Sequence, residues 1–331
     1  MVRLCLLVCF LLAGCDDAPV NPEADQGVTP EVWGQAFDAT AEGAFLSVFG
    51  PGPDDIWTVG GQPEQGAVWH FDGTTWAAAD PPDGPLFNWV HGAGDRLWMV
   101  GNGGRILTRM GDGFAAVDSP VTAPLWGVWA ASADEAWAVG GEARDDGQPA
   151  DPVLLHFSGG QWTRQELPPI DRSFRAIFKV FGLAANDVYA VGAKGVILHW
   201  DGQAWAQQAS GTGEDLISLW GNRTDDLVIV GGRGNGVLAR LIDGAWHAEV
   251  VTGQPGFNGV FVQADGTAFV AGGRGLLLRV GAGAFVGERR NSGTREVLHG
   301  IWGTSAGHRI AVGGSLDTSP PWVGVALESG R

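Results

Sequence analysis

The sequence predicts an all-β fold of repeated four-stranded units, and three observations support this prediction. An acidic turn, a β-prone run and a glycine recur along the chain, as in Asp54–Gly61 (DDIWTVGG) and Asp134–Gly141 (DEAWAVGG). The glycine recurs at intervals of 41, 39, 52, 39, 41 and 41 residues, at Gly60, Gly101, Gly140, Gly192, Gly231, Gly272 and Gly313. No window after the N-terminal apolar run shows a convincing apolar period of 3.6 residues. Four strands in about 40–45 residues is the pattern of a β-propeller blade, so seven copies predict a seven-bladed β-propeller.

Each unit holds four short runs that are typical of strands. The first run is aromatic-rich, as in Leu46–Gly50 (LSVFG), and the second is the repeated run before the glycine. A third run follows, as in Ala67–Phe71 (AVWHF), and an aromatic residue then opens the fourth. These runs are rich in Val, Ile, Trp and Phe and are bounded by Gly, Asp or Pro, which predicts strands rather than helices.

The N-terminal segment is predicted to supply the last strand of the ring. An aromatic opens the fourth strand in six units only, at Trp76, Phe114, Trp162, Trp205, Trp246 and Phe285, and the seventh unit ends after its third strand. Trp33 is the missing aromatic. It precedes Ser47 by 14 residues, inside the range of 12 to 15 found when the small residue of the next first strand is placed at Ser47, Asn88, Gly127, Ala176, Ser218, Gly259 and Gly300. A strand near Trp33 would complete the last blade and remove the free sheet edges.

The spacing of the repeated residues predicts the domain organisation. The propeller covers residues 31–331, with blades at 45–85, 86–124, 125–173, 174–215, 216–256, 257–296, and 297–331 plus 31–40.

The first 30 residues have the layout of an export signal followed by a tether. Arg3 precedes the apolar run Leu4–Leu12, which is too short to span a bilayer. Leu12–Cys15 resembles the lipobox of bacterial lipoproteins, which implies a signal peptide at 1–14 and lipidation of Cys15; the alternative is an ordinary signal peptide. Residues 15–30 are acidic and Pro-rich and form a predicted tether. We therefore expect a lipid-anchored, extracytoplasmic protein of the bacterial cell envelope, in the inner or the outer membrane.

Charge and cysteine content exclude several classes of function. The net charge of −17 disfavours nucleic acid as a partner. The cysteines are Cys5, Cys9 and Cys15, so the processed chain would hold no disulfide and no cysteine metal site. We expect a monomer without cofactors.

Three kinds of propeller share local motifs with this chain. The tandem glycine followed by a distant Trp resembles kelch propellers. The turns Asp72–Trp76 (DGTTW) and Asp243–Trp246 (DGAW) are similar to the Asp-box of sialidase-type (BNR) repeats and to photosystem-II-assembly-factor-like propellers. The resemblance covers residues 31–331 and implies the architecture. A sialidase would need a tyrosine nucleophile, and Tyr189, the one tyrosine, stands at a packing position in a second strand.

Repeated polar residues are predicted to be structural. His70, His156 and His199 each precede the fourth-strand aromatic by six residues. One histidine in each of three blades cannot converge on a single metal ion, so we expect repeated hydrogen-bond donors. The acidic pairs, such as Asp54-Asp55 and Asp134-Glu135, are predicted to shape turns. Gly303–Gly307 matches G-x-S-x-G, but a strand follows where a nucleophile elbow needs a helix. No catalytic residue or metal site is predicted.

A binding face is predicted where the fourth-to-first and second-to-third strand connections emerge. Three of the latter are long, at 62–65, 142–151 and 315–321, and long loops on a rigid scaffold often carry binding residues. The candidate residues are Trp126, Arg175, Asn258 and His299 around the channel mouth, opposite apolar Leu46, Phe87 and Ile217, with Arg144, Asp145 and Asp146 on the longest loop.

These features favour a non-catalytic module that binds a protein, a glycan or a small ligand. A polysaccharide hydrolase or lyase on the same fold is a second hypothesis, which requires two carboxylates in one pocket. A structural or assembly role in a cell-envelope complex is the third.

Overall fold

Seven four-stranded antiparallel sheets hold the strands of the computed structural model, which describes residues 31–144 and 147–331. In blades 1 to 4 they are β2 (Ala44–Gly52), β3 (Asp55–Gln62), β4 (Gln65–Phe71) and β5 (Trp76–Ala78); β6 (Phe87–Ala93), β7 (Arg96–Gly101), β8 (Ile106–Met110) and β9 (Gly113–Val117); β10 (Leu125–Ser132), β11 (Glu135–Gly140), β12 (Val153–Ser158) and β13 (Gln161–Arg164); β14 (Ile177–Ala184), β15 (Asp187–Gly192), β16 (Ile197–Trp200) and β17 (Trp205–Gln208). In blades 5 to 7 they are β18 (Leu216–Trp220), β19 (Val228–Gly231), β20 (Gly236–Ile242) and β21 (Ala245–Val251); β22 (Phe257–Val262), β23 (Ala268–Gly272), β24 (Leu276–Val280) and β25 (Glu288–Arg290); β26 (Leu298–Gly303), β27 (Arg309–Gly314), β28 (Gly324–Ser329) and β1 (Gly34–Gln35). The predicted seven-bladed β-propeller is confirmed.

The N-terminal strand closes the ring, as predicted. β1 pairs antiparallel with β28 through Gly34 opposite Glu328, and the sheet order is β26-β27-β28-β1. Trp33 packs, partly buried, against the core that joins blades 1 and 7. The last blade is therefore built from both ends of the propeller, and β28 has no free edge.

Several predictions concern segments outside the described residues. They include the signal peptide, the lipidated Cys15 and the tether at 15–30, together with Asp145 and Asp146 on the long loop of blade 3. Within the described residues, no helix is long and apolar enough to cross a membrane.

The first strand of each blade is the innermost, and these strands contact one another around the ring. They line the central channel. An apolar residue at or next to the start of each first strand is buried in every blade (Phe45, Phe87, Leu125, Ile177, Leu216, Phe257 and Leu298). The apolar surface is thus buried between blades, which is why each blade requires its neighbours.

Aromatic residues of the repeat join adjacent blades. The second-strand aromatic meets the fourth-strand aromatic of the next blade edge-to-face, as in Trp98 with Trp162 (centroids 5.1 Å apart) and Trp137 with Trp205 (5.1 Å). Tyr189 makes the same contact with Trp246 at 5.9 Å, as expected of a packing residue. Such pairs contribute about 0.5–1.5 kcal/mol each beyond their buried area.

The three repeated histidines form local clusters at the opposite ends of the strands from the long loops. His70 stacks on Trp57 (3.9 Å between centroids), and its Nε2 lies 2.8 Å from Asp55 Oδ1. His199 repeats this with Asp187 at 2.7 Å, whereas His156 lies 3.6 Å from its acid. The predicted hydrogen-bonding role is confirmed for His70 and His199, whereas His156 Nε2 is buried without a hydrogen-bond partner.

The acidic residue of this cluster is more than a turn residue. Asp55 Oδ1 also accepts a 2.6 Å hydrogen bond from Trp57 Nε1, so one carboxylate orients both rings. The sequence pattern predicts only a turn role for Asp55, because the pairing of adjacent strands that brings His70 to it is a tertiary feature. Among the described residues, no group of three or more His, Cys, Asp or Glu side chains could hold a metal ion.

Candidate binding site at the channel mouth

A β-bulge recurs at one position in every first strand, close to the loop face. The register between first and second strands slips by one residue at this point in all seven blades. A bulge leaves its extra residue without a ladder partner and changes the direction of its side chain. The seven residues without a partner are Leu46, Asn88, Trp126, Phe178, Ile217, Asn258 and His299, called here the bulge ring. Trp126, Ile217, Asn258 and His299 are half-buried, whereas the other three are buried.

The bulge ring corrects the predicted register in blades 2 and 4. Alignment of the small residues Asn88 and Ala176 with Ser47 predicts Phe87 and Arg175 at the mouth. The structure aligns Ser47 with Trp89 and Lys179 instead. This position holds the large residues Trp89 and Lys179 in blades 2 and 4 but Gly or Ser in the other blades. In these two blades a small residue therefore marks a neighbouring position.

Trp126 and His299 are held by equivalent hydrogen bonds. Trp126 Nε1 donates to the carbonyl of Gly141 at 2.8 Å, and His299 Nε2 donates to that of Gly314 at 2.9 Å. Gly314 is the last residue of β27, and Gly141 directly follows β11. Burial lowers the pKa of His299, although the Gly314 carbonyl and Asp317 oppose this effect. His299 is therefore neutral near pH 7 with its proton on Nε2.

The asparagines of the bulge ring connect neighbouring blades. Asn258 Nδ2 donates to the carbonyl of Leu298 at 3.1 Å, and Asn88 Nδ2 donates to the carbonyl of Leu125 at 2.9 Å. Both acceptors belong to the first strand of the next blade. These bonds limit relative movement of the first strands and keep the mouth rigid.

Arg175 has a different position from the one predicted. It lies two residues before β14, where its Nε donates to the carbonyl of Arg144 and its Nη1 to that of Gln148, both at 2.9 Å. The guanidinium thus anchors the long loop of blade 3 by its backbone. The side chain of Arg144 is exposed at this loop.

The long loops of blades 1 and 7 are joined by hydrogen bonds that the sequence does not predict. Gln62 Nε2 donates to the carbonyl of Trp322 at 2.9 Å, and the Trp322 N–H donates to Gln62 Oε1 at 2.8 Å. The Trp322 indole also donates to the Thr318 carbonyl at 2.8 Å. No local pattern could reveal a pair separated by 260 residues, because only closure of the ring brings the two loops together.

Basic side chains stand at the rim of blades 4 and 5, although the chain is acidic. Arg233 forms a 2.9 Å ion pair with Asp215, and its guanidinium lies 5.3 Å from the ring centre of Phe178. Asp215 also accepts a hydrogen bond from the Lys194 N–H at 2.9 Å. Since the bulge ring contains no acidic residue, the mouth offers aromatic, amide and cationic groups and no carboxylate pair in that ring.

Two surface clefts lie away from the bulge ring. One of about 360 Å³ is lined by residues 119–123 with Asp151, Val153 and Arg164. The other, about 330 Å³, is lined by Gly275 and residues 289–292 and 294. Neither contains a predicted site residue.

Comparisons with known proteins identify the architecture. No family model matches the chain, and neither does any curated protein sequence. YCF48 from Cyanidioschyzon merolae has a similar structure, with a TM-score of 0.66 and 18% identity over 90% of this chain and 98% of that chain. YCF48 bound to a D1 peptide matches with a TM-score of 0.64 and 16% identity, over 91% and 97% of the two chains. A streptogramin B lyase matches with a TM-score of 0.69 and 10% identity, over 90% and 98%. At these identities the comparisons show the seven-bladed propeller fold alone.

Proposed function

We propose that this protein is a non-catalytic propeller that binds an extended segment of a partner protein at the channel mouth. The bulge ring is the observation that supports this proposal. Trp126, Ile217, Asn258 and His299 combine partly exposed apolar and polar surface on a scaffold closed by hydrogen bonds. Such a preformed surface loses little conformational entropy when a ligand binds.

The chemistry of the mouth suits a peptide better than a nucleic acid or a long polyanion. Asn258 supplies an amide and Trp126 an aromatic surface, the side-chain types that recur at peptide and protein interfaces. Arg144, Lys194 and Arg233 stand on the adjacent blades 3, 4 and 5, and the net charge of −17 disfavours a long polyanion as ligand. The solved complex of a similar propeller, YCF48, with a D1 peptide supports a protein ligand by analogy of fold.

We also propose that the propeller is located outside the cytoplasm. The lipobox-like Leu12–Cys15 would give a lipid-modified N-terminal cysteine, and the acidic tether would hold the propeller off the membrane. Mass spectrometry of the purified N-terminal peptide would detect the diacylated or triacylated Cys15. An unmodified N-terminus cleaved elsewhere would contradict this part of the proposal, and the Cys15→Ala variant provides the control.

Peptide binding is tested with the full-length protein carrying Cys15→Ala. An array of immobilised peptides identifies a ligand, and its affinity is then measured for Trp126→Ala and His299→Ala. We expect Trp126→Ala to weaken binding roughly 30-fold, the effect of losing a central aromatic contact worth about 2 kcal/mol. His247→Ala is the matched control for His299→Ala, because His247 is exposed on the outermost strand of blade 5.

Two results would contradict the site. One is equal affinity of wild type and Trp126→Ala when circular dichroism shows both to be folded. The other is equal loss in His299→Ala and His247→Ala, which would place the ligand elsewhere.

A further inference from the structure

A buried lysine amine in the central channel has no role in the mouth described above. The chain contains two lysines, Lys179 and Lys194, among 20 basic residues. Lys194 is exposed at the turn after β15, whereas Lys179, directly after the bulge in β14, is only 2% exposed. Its equivalents in the other first strands are Ser47, Trp89, Gly127, Ser218, Gly259 and Gly300.

The Lys179 side chain crosses part of the channel. Its Nζ lies 2.7 Å from the ring centroid of Trp89, two blades away. Between them stands Gly127, where an added Cβ would lie 3.2 Å from the Lys179 Cα. The glycine leaves the space through which the amine reaches the indole. Trp89 itself is half-buried, so solvent reaches the channel at this level.

No carboxylate faces this amine in the described part of the chain. The neighbouring first strands β10 and β18 carry no titratable side chain, and β15 carries Tyr189 and Asp187, the latter paired with His199 at 2.7 Å. Across the channel lies His91, whose Nδ1 accepts a 3.2 Å hydrogen bond from the Ala130 N–H. Burial lowers the pKa of Lys179 well below its usual value, as expected for an amine without a partner.

The amine also lacks a hydrogen-bond acceptor. Lys179 Nζ and the Ser218 hydroxyl are both buried without a hydrogen-bond partner, and both belong to the residues directly after the bulge. In blades 6 and 7 the equivalent residues are Gly259 and Gly300, which carry no side chain. Buried polar groups of native proteins nearly always have a partner, so unused donors at this level indicate a missing acceptor.

We propose that Lys179, held across the channel against Trp89, binds the carboxylate of a ligand that enters from the loop face. One ammonium matches one negative charge, whereas a phosphate dianion would need a second cation. Binding of the anion stabilises the charged amine, so Lys179 takes up a proton as the carboxylate binds. Two sources share this chemistry: a free small carboxylate and the C-terminal carboxylate of a peptide.

The presence of only two lysines permits a direct measurement on the full-length protein. Protein labelled with [¹³Cε]lysine gives two Cε signals, and Lys194→Arg assigns them. Without ligand at neutral pH, we expect Lys194 at the ammonium shift and Lys179 toward the amine shift. Addition of sodium acetate should move the Lys179 signal to the ammonium shift and leave Lys194 unchanged. Sodium chloride at the same ionic strength controls for screening.

Short peptides with a free or an amidated C-terminus distinguish the two sources. A response to acetate assigns the site to any small carboxylate, and a response to the free-acid peptide alone assigns it to a chain terminus. A Lys179 signal that moves with none of them, or equally with the amidated peptide, would overturn the inference. The acetate arm does not depend on the proposed peptide-binding function, because Trp126→Ala should weaken only the peptide response.

Discussion

Lowering the pH should destabilise the propeller because His91 is buried without charge, and its pKa sets how much the free energy of unfolding falls. The residue three positions after the bulge-ring residue is aromatic in every first strand, and His91 is the only one of the seven that is neither Phe nor Trp; the others are Phe49, Trp129, Phe181, Trp220, Phe261 and Trp302. Its ring lies 4.3 Å from that of Phe49, and its Nδ1 accepts the Ala130 N–H. Burial is the main cause that lowers the pKa of His91 from 6.5 to about 3, and Lys179 adds to this effect where it is protonated.

The direction of the pH effect on stability follows from how many protons the folded and the unfolded chain bind at His91. Between pH 6.5 and about 3 the unfolded chain binds a proton at His91 that the folded protein does not, so stability falls as the pH falls. Each pH unit in this window costs about 1.4 kcal/mol, so going from about pH 7.5 to about pH 5 costs about 2 kcal/mol through this residue.

Urea unfolding followed by tryptophan fluorescence at both pH values measures the effect, with His91→Phe as the comparison. Phenylalanine keeps an aromatic ring in the position and cannot titrate. At about pH 7.5 the variant should be less stable by about 1–3 kcal/mol, because the Ala130 N–H loses its acceptor. Its further loss at about pH 5 should be smaller than that of wild type by about 2 kcal/mol. His156 and His299 titrate in both proteins, so they cancel in the comparison, and equal pH dependence would refute the reasoning.

Three further predictions concern the scaffold. Asp55→Ala leaves two ring N–H donors without an acceptor and should lower the free energy of unfolding by about 2 kcal/mol. Glu135→Ala should lower it by less than about 1 kcal/mol, because His156 lies 3.6 Å from Glu135. Equal losses of the two variants in urea unfolding would contradict the cluster geometry. A chain that begins at Ala36 lacks β1 and should melt at a lower temperature than a chain that begins at Glu31. It should also associate through the exposed edge of β28, which light scattering after size exclusion would detect. Two monomers of equal melting temperature would refute the closure argument. Lys179→Met should raise the free energy of unfolding at neutral pH, because an apolar chain of similar length has no amine to desolvate, and a less stable variant in urea would show that the amine has a stabilising partner.

Local patterns were sufficient for the strand content and the blade number. Each blade repeats its own turn, strand and glycine within about 40 residues, and strand propensity acts over that range. The missing fourth-strand aromatic, supplied by Trp33, even predicted how the ring closes, because a closed ring must pair every edge.

The candidate site was predicted less completely. Trp126, Asn258 and His299 lie in the bulge ring where the sequence placed them. Arg175 does not, because the position of a bulge depends on the pairing of two strands and not on the sequence of one.

The sequence by itself determined that this chain is a seven-bladed β-propeller closed by its own N-terminal strand, since those features follow from local periodicity. Only the tertiary structure decided which side chains meet across the ring. It paired Gln62 with Trp322 and placed the Lys179 amine on the Trp89 indole. The physical reason is that these residues come from different blades, whose positions are set by the packing of the closed ring rather than by the residues beside them in sequence.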